Sequence, residues 1–552
     1  PGPGDGLAVR PAGWRIGGVN AAGPPVRVLL VSPRFNGESF WAYKATSRLA
    51  GARYPAPSLG LITVAALLPQ HWPMRLFDRN VIEDEAAFDA ALAAADLVLA
   101  GGMLPQQTDL FDLIRRARAA GKPILVGGPD VSSSPHLYAA ADFRVIGEAE
   151  GCMAEFVAAW HAGARSGEFS AAMGSVDVAT SPTPRFDLLD LSAYTEITVQ
   201  FSRGCPFLCE FCDIIELYGR KPRTKGTAQM LQELDALHAL GWRGLVEFSD
   251  DNLIGNKKAV KAFLPALIEW QRARGYPFEL ATEASLNLAD DPELLALLRE
   301  ANFIAVGIGI ESPDSAVLTQ AQKKQNARRD IADSVHRIQA AGIVVAAGFI
   351  LGFDNEAEDA ADTMVSLIEA AAIPIAMVGL LVALPNTQLT RRLAREGRLH
   401  EGYDLAPGGT RADQCISGLN FETTRPRRAV LSDYREVVAR IYAPDAYFAR
   451  IRRAVRWLEC SGVNGQLHPA GRGRSMRLML RFMVTVTLRD RVLSRHIWPL
   501  LAHVLLHNPR AVRHALYAAA LYAHFGPFSR RILAEMDREI ALAEPLPRLA
   551  AE

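Results

Sequence analysis

Cysteine is scarce, with six in 552 residues. That is too few, too unevenly spread, for an oxidised, disulfide-stapled secreted framework, and a reducing cytoplasmic setting is expected. Net charge is missing too: 60 basic side chains balance 60 acidic ones. There is no global electrostatic case for a nucleic-acid partner. Long hydrophobic runs are absent. The longest, 370–385, is interrupted by Pro374 and Gly379 and falls short of the ~20 residues of a membrane-spanning helix, so a buried parallel strand is expected there. Residues 1–25 lack the apolar core of a secretory signal and read as a flexible Gly/Pro/Ala-rich tail. A GxGxxG turn is missing after the first strand-like run, which disfavours ordinary NAD binding. What the chain has in quantity is apolar side chains, 49% of the total, enough for large cores in about three or four domains.

Half of the cysteines fall in one stretch, Cys205-Pro206-Phe207-Leu208-Cys209-Glu210-Phe211-Cys212. Three thiols cannot pair off among themselves, and thiolates at this spacing in a reduced protein hold a metal. Tetrahedral zinc needs a fourth Cys or His, and no second CxxC or HxxxH lies nearby. An iron-sulfur cluster is the better match. A 4Fe-4S cube normally takes four thiolates, so three leave one iron open to a small molecule, a catalytic arrangement. Cys152, Cys415 and Cys460 stand alone and read as buried apolar residues.

Around this array the chain alternates strand and helix. Over 26–165, strands are expected at 26–31, 74–78, 97–100, 123–126 and 143–146, with helices at 59–68, 84–95 and 109–120, a doubly wound Rossmann-like α/β domain. Ligands of such sheets sit outside the carboxyl ends of the strands, where Gly101, Gly102, Gly127, Gly128, Gly147 and Glu148 fall. The polar, Gly- and Pro-containing stretch 166–194 reads as a linker. Over 195–398 six βα repeats follow, with strands at 197–201, 245–249, 278–281, 304–308, 344–350 and 375–382. The polar residues at their carboxyl ends, Ser249, Asp250, Asp251, Glu283, Gly309 and Glu311, are site candidates. From 399 to 552 the pattern is mostly helical. Between 450 and 531 the only acidic residues are Glu459 and Asp490, while Arg and His recur among Leu, Met, Phe and Trp. Such a stretch suits an anionic membrane surface or an acidic substrate, or is a solvated helical face packed on a core.

The CxxxCxxC array, with Phe211 just before its last cysteine, resembles the signature of radical S-adenosylmethionine (SAM) enzymes. The α/β domain directly before it and the helical domain after it resemble the cobalamin-binding, class B methyltransferase-like branch of that family, to which a hopanoid C-2-methylating enzyme belongs. The resemblance implies a partial (β/α)6 barrel, a 4Fe-4S cluster on Cys205, Cys209 and Cys212, SAM chelated at the open iron, and cobalamin on the first domain. It further implies that Phe211, Ser249, Asp250, Asp251, Glu283, Gly309 and Glu311 line the SAM site. One motif departs. The Asp-x-His-x-x-Gly that often supplies a cobalt ligand is replaced by Ser32-Pro33-Arg34-Phe35-Asn36-Gly37. Cobalamin is therefore expected without a histidine on cobalt, its lower face against Met103, Leu104 and Gln106. The implied reaction is methylation of an unactivated carbon through a 5′-deoxyadenosyl radical and methylcobalamin, on a small molecule with lipids among the implied substrates. Electrons would come from a flavodoxin or ferredoxin. The rivals are a cyclase or rearrangement enzyme of the same family, and a cobalamin or iron-sulfur carrier or sensor without turnover.

Overall fold

The structure, a computed structural model, describes residues 15, 24–35, 39–40, 42–405, 418–460, 462–463 and 469–543. The expected tail over 1–25 lies almost wholly outside the described residues, as does Cys415. The chain divides into two compact units, one of residues up to 36 with 56–194, the other of 37–55 with 195 onward.

The first unit is built on a six-stranded parallel sheet in the order β2-β1-β3-β4-β5-β6. Its strands are β1 Val28–Ser32, β2 Met74–Asp78, β3 Leu97–Gly101, β4 Ile124–Gly127, β5 Phe143–Ile146 and β6 Gly167–Ser170. Every residue of β1 is buried, as a Val/Leu run covered by helices on both faces should be. The order reverses between β1 and β3, and that is where such sheets bind ligands. The stretch 166–194, expected as a linker, contributes β6 to the sheet edge. Its alternation of half-buried and exposed residues, Gly-Glu-Phe-Ser, is too short and polar to read as a strand in the sequence.

In the second unit six parallel strands follow one another in chain order: β7 Glu196–Val199, β10 Leu245–Phe248, β11 Glu279–Ala284, β12 Phe303–Glu311, β13 Val344–Leu351 and β14 Ile375–Leu380. β7 and β14 are the free edges, so the sheet is an open (β/α)6 arrangement. A small antiparallel pair, β8 Ser202–Arg203 with β9 Arg223–Thr224, flanks the cysteine loop. Burial alternates along β11 and, from Val345 on, along β13, with one face packed under helices and the other half-open. The half-open face carries small residues such as Ala281, Gly307, Gly309 and Gly348, leaving a chamber rather than a filled core. The apolar run at 370–385 forms β14, buried at every position as expected.

The C-terminal helices belong to this second unit. Arg450, in the helix Pro444–Trp457, is fully buried. Its guanidinium donates to the carbonyls of Ile373 at 2.7 Å and Ile441 at 3.0 Å and to Glu369 at 2.6 Å, tying the helices to the β14 edge. Arg450→Ala strands these acceptors and should cost about 3–5 kcal/mol of stability, measured by denaturant unfolding. Among the described residues, no helix is long and apolar enough to cross a membrane.

Candidate active site

The cysteine loop leaves β7 at its carboxyl end and is held by two acids of the next strand's turn. Asp250 accepts hydrogen bonds from the backbone N–H of Phe201 at 3.1 Å, from the Ser202 N–H, and from the Ser202 hydroxyl at 2.6 Å. Asp251 accepts from Gly204 N–H at 2.7 Å. Gly204 has φ +93°, and a Cβ there would press on the Gly219 carbonyl at 2.8 Å, so only glycine fits the turn into Cys205. Further along, Glu210 donates its N–H to Ala321 at 3.0 Å and pairs with Arg392 at 2.9 Å. Both ends and the middle of the loop are thus anchored.

The thiols are free. Two of them have a polar neighbour: the Asn252 amide donates toward Cys205 Sγ at 3.8 Å and the Gln325 amide toward Cys209 Sγ at 3.7 Å. Burial pushes the Cys205 and Cys212 thiols up, and the neighbouring sulfurs push them further, so metal must displace protons. Among the described residues no three Cys, His, Asp or Glu side chains converge on a single ion. This donor set does not fit structural zinc. It fits a cluster, in which each thiolate takes its own iron and amide donors temper the charge on sulfur.

Beyond the loop lie the acids of the chamber. Glu311 ends β12 with φ +69°, at a register shift against β13. That rarely populated backbone turns its carboxylate over Gly309, where it meets Lys323 Nζ at 2.5 Å. Lys323 also lies 5.8 Å from the centre of the Phe211 ring, and the Cys209 and Cys212 sulfurs raise its pKa alongside Glu311. Glu283 faces Gly307, whose missing side chain leaves room for the carboxylate. The structure therefore brings Phe211, Glu311 and Gly309 together, and places Glu283 one strand away. Asp250 and Asp251 turn their oxygens to the loop backbone, and the Ser249 hydroxyl donates to Val199 at 3.2 Å. These three support the loop rather than facing outward. Lys323, Asn252 and Gln325 escaped the sequence reading. Asn252 sits beside the Asp-Asp pair and carried a signal, whereas Lys323 and Gln325 lie at a four-residue helix with no periodicity to mark them.

Burial pushes Glu283 up to about 7 and Asp251 up to about 7, and like-charged neighbours add to both. Burial and the nearby Glu247 raise Glu196, and burial raises Glu247. Carboxyls with raised folded-state pKa stabilise the fold below their unfolded pKa, and that contribution is lost as pH rises through the folded value. The thermal midpoint of the metal-free chain should therefore fall as pH rises from about 4.5 to about 7, with Glu283→Gln flattening the slope in scanning calorimetry.

In the first unit, the β1 and β3 loops meet at the reversal point. Gln106 donates its amide to the Pro33 carbonyl at 2.7 Å and accepts from Met103 N–H at 3.2 Å. Met103 stands 46% exposed there, and no histidine lies among residues 32–35 or 101–107. Leu104 opens the short turn Leu104–Gln106. Gly101, Gly102, Gly127 and Gly128 pack backbone against backbone, Gly128 with φ +100°. These residues fit a cofactor met by backbone and a thioether and given no histidine. Gly147 and the buried Glu148 follow β5, two strands from the reversal, where a Cβ on Gly147 would strike the Ala171 carbonyl at 2.7 Å.

A three-thiol loop at the carboxyl ends of an open (β/α)6 sheet, in a chain that also carries a doubly wound unit, defines the class by fold. Residues 199–368 match the radical SAM superfamily, and 387–538 match a domain of unknown function, DUF4070. The chain is 46% identical over 428 residues to an uncharacterized methyltransferase of Synechocystis sp., covering 77% of this chain and 78% of that one. It is 36% identical over 430 residues to the hopanoid C-2 methylase of Rhodopseudomonas palustris, with the same coverage of 77% and 78%. Its fold resembles that of OxsB, a cobalamin-dependent SAM radical enzyme solved with aqua-cobalamin and SAM, with TM-score 0.58 and 15% identity over 94% of this chain and 81% of that one. The chain belongs to the radical SAM superfamily, in the methyltransferase family that contains hopanoid C-2 methylase.

Proposed function

We propose that the protein is a cobalamin-dependent radical SAM enzyme that methylates an unactivated carbon of a small molecule in the cytoplasm. One observation carries the reading: an anchored, half-buried loop of three free cysteines at the carboxyl ends of the strands, with no fourth cysteine beside it in the loop. Cys205, Cys209 and Cys212 would hold the 4Fe-4S cluster, Glu283 and Glu311 would receive SAM, and Met103, Leu104 and Gln106 would face cobalamin. When bound, these groups supply a carbon-centred radical and a transferable methyl group. The chain's own work is to hold them. Asp250 and Asp251 fix the loop, Lys323 orients Glu311 and balances the charge beside the sulfurs, and Gly307 and Gly309 keep the chamber open. A flavodoxin or ferredoxin would supply electrons. Turnover followed by mass spectrometry tests the reading: methylation adds one methylene to the product, whereas SAM cleavage with an unchanged product mass indicates cyclisation or rearrangement.

A membrane surface is the expected source of a lipid substrate. Met476, Leu480, Val484 and Leu488 are exposed at four-residue spacing along the helix Pro469–Arg489, at 53%, 67%, 50% and 77%. Exposed Arg477 and Arg481 lie beside them. That combination suits an anionic bilayer. The protein should sediment with phosphatidylglycerol vesicles more than with phosphatidylcholine vesicles, and Leu480→Ser with Leu488→Ser should weaken binding about tenfold or more.

A further inference from the structure

The lower half of the chamber holds acids that the proposed reaction does not use. Hydrogen abstraction followed by methyl transfer to carbon moves no proton to a protein base. Yet Glu196 opens β7 and Glu247 is the third residue of β10, both below the carboxyl ends where Glu283 and Glu311 sit. Thr198 pairs with Glu247 across the β7–β10 ladder and shares the face of Glu196 two residues before it, so all three look into the chamber.

Among the described residues, few of the polar groups here have counterparts. The Glu196 carboxylate accepts from the Tyr43 hydroxyl at 3.0 Å. Among the described residues, Glu247 and Glu283 make no hydrogen bond or ion pair, and no Lys, Arg or His bears on the charge of either one or of Glu196. Lys323 is engaged by Glu311. Thr198 is 92% buried, by its 8% exposure, and its Oγ1 has no hydrogen-bond partner. Tyr517 closes the floor. It is 37% accessible, although its helix neighbours Ala515, Leu516, Ala518 and Ala519 are buried, and its phenol senses Glu196 and Glu247. Tyr517 also hydrogen-bonds Tyr43, whose hydroxyl serves Glu196.

An enclosed carboxyl pair with no cation is costly to keep, and an unsatisfied hydroxyl beside it adds to the cost. Both costs vanish when a positively charged hydrogen-bond donor enters. Chelation at the open iron would take the SAM amino nitrogen as a neutral donor, which leaves SAM its sulfonium, and Glu283 and Glu311 stand at the carboxyl ends of the strands to meet it. The pair below calls for a second cation, and the remaining molecule to enter is the substrate. We propose that Glu196, Thr198, Glu247 and Tyr517 form a recognition pocket for an ammonium group, so that the substrate of this enzyme is an amine. The assignment rests on the methyltransferase reading and names the substrate class of that site.

Isothermal titration of the anaerobically reconstituted protein with hexylamine and, separately, with hexanol tests it. Hexylamine should bind at least about tenfold more tightly than hexanol, because only the ammonium forms charge-assisted hydrogen bonds. Glu247→Gln should weaken hexylamine about tenfold or more while raising the thermal midpoint, since a neutral isostere removes the buried charge. A residue kept for stability would give the opposite midpoint shift. Thr198→Val, a second variant of similar shape, should also weaken hexylamine, and surface Glu293→Gln should not. Equal binding of hexanol, binding of neither probe, or unchanged affinity in Glu247→Gln overturns the assignment. A protein that cleaves SAM but ignores hexylamine refutes the amine pocket and leaves the methyltransferase reading standing. One that binds hexylamine through Glu247 yet never cleaves SAM does the reverse.

Discussion

Cys205→Ala, Cys209→Ala and Cys212→Ala should each abolish formation of 5′-deoxyadenosine. In the proposed reading the three cysteines would hold separate corners of the cluster, and the described structure offers no substitute thiol, since Cys152 and Cys460 are buried elsewhere. Loss of one ligand leaves two on a loop whose geometry is fixed by Asp250, Asp251 and Arg392, so the loop cannot rearrange to compensate. Iron content after reconstitution should fall well below about four per chain, and the charge-transfer absorbance of the cluster should fall with it. Cys152→Ala serves as the control and retains both.

Lys323→Met produces the second large effect, on stability and activity together. Lys323 and Glu311 are both at least 90% buried, with exposures of 8% and 7%, and are joined at 2.5 Å. Removing the lysine leaves a buried carboxylate alone, at a cost of about 3–5 kcal/mol. It also removes the cation nearest Cys209 and Cys212, and loss of such an outer partner typically weakens metal affinity about 10–100-fold. The double variant Lys323→Met with Glu311→Gln separates the two roles. It should recover most of the stability, because no uncompensated charge remains, yet recover none of the SAM binding measured by equilibrium dialysis. If stability stays low in the double variant, the ion pair is not the cause of the loss.

The sequence made the repeats legible because parallel strands buried on both faces are written as short Val/Leu/Ile runs ended by glycine or acid. β2 and β13 fall within a residue of their expected spans. β6 escaped because an edge strand of Gly-Glu-Phe-Ser has neither pattern nor burial to announce it. The C-terminal helices were legible as helices, but not as part of the second unit, since the contacts that join them, such as Arg450 to the Ile373 carbonyl, span 77 residues and leave no local trace. At the site, spacing exposed the three cysteines. The acids at the strand ends were visible as residue types, but their roles were not. Asp250 reads the same in sequence whether it faces a ligand or two backbone N–H groups. Lys323 could be found only from the backbone turn that sets Glu311 over Gly309.

In the proposed reading this chain generates a radical from SAM on a three-cysteine cluster while holding cobalamin. Anaerobic reconstitution with iron, sulfide and hydroxocobalamin, then reduction with SAM and mass spectrometry of the small molecules, tests it most directly. The wild-type protein should give 5′-deoxyadenosine, Cys205→Ala should give none, and cobalamin should be retained through gel filtration. Retained cobalamin with SAM left intact under reducing conditions would contradict it and point to a carrier or sensor.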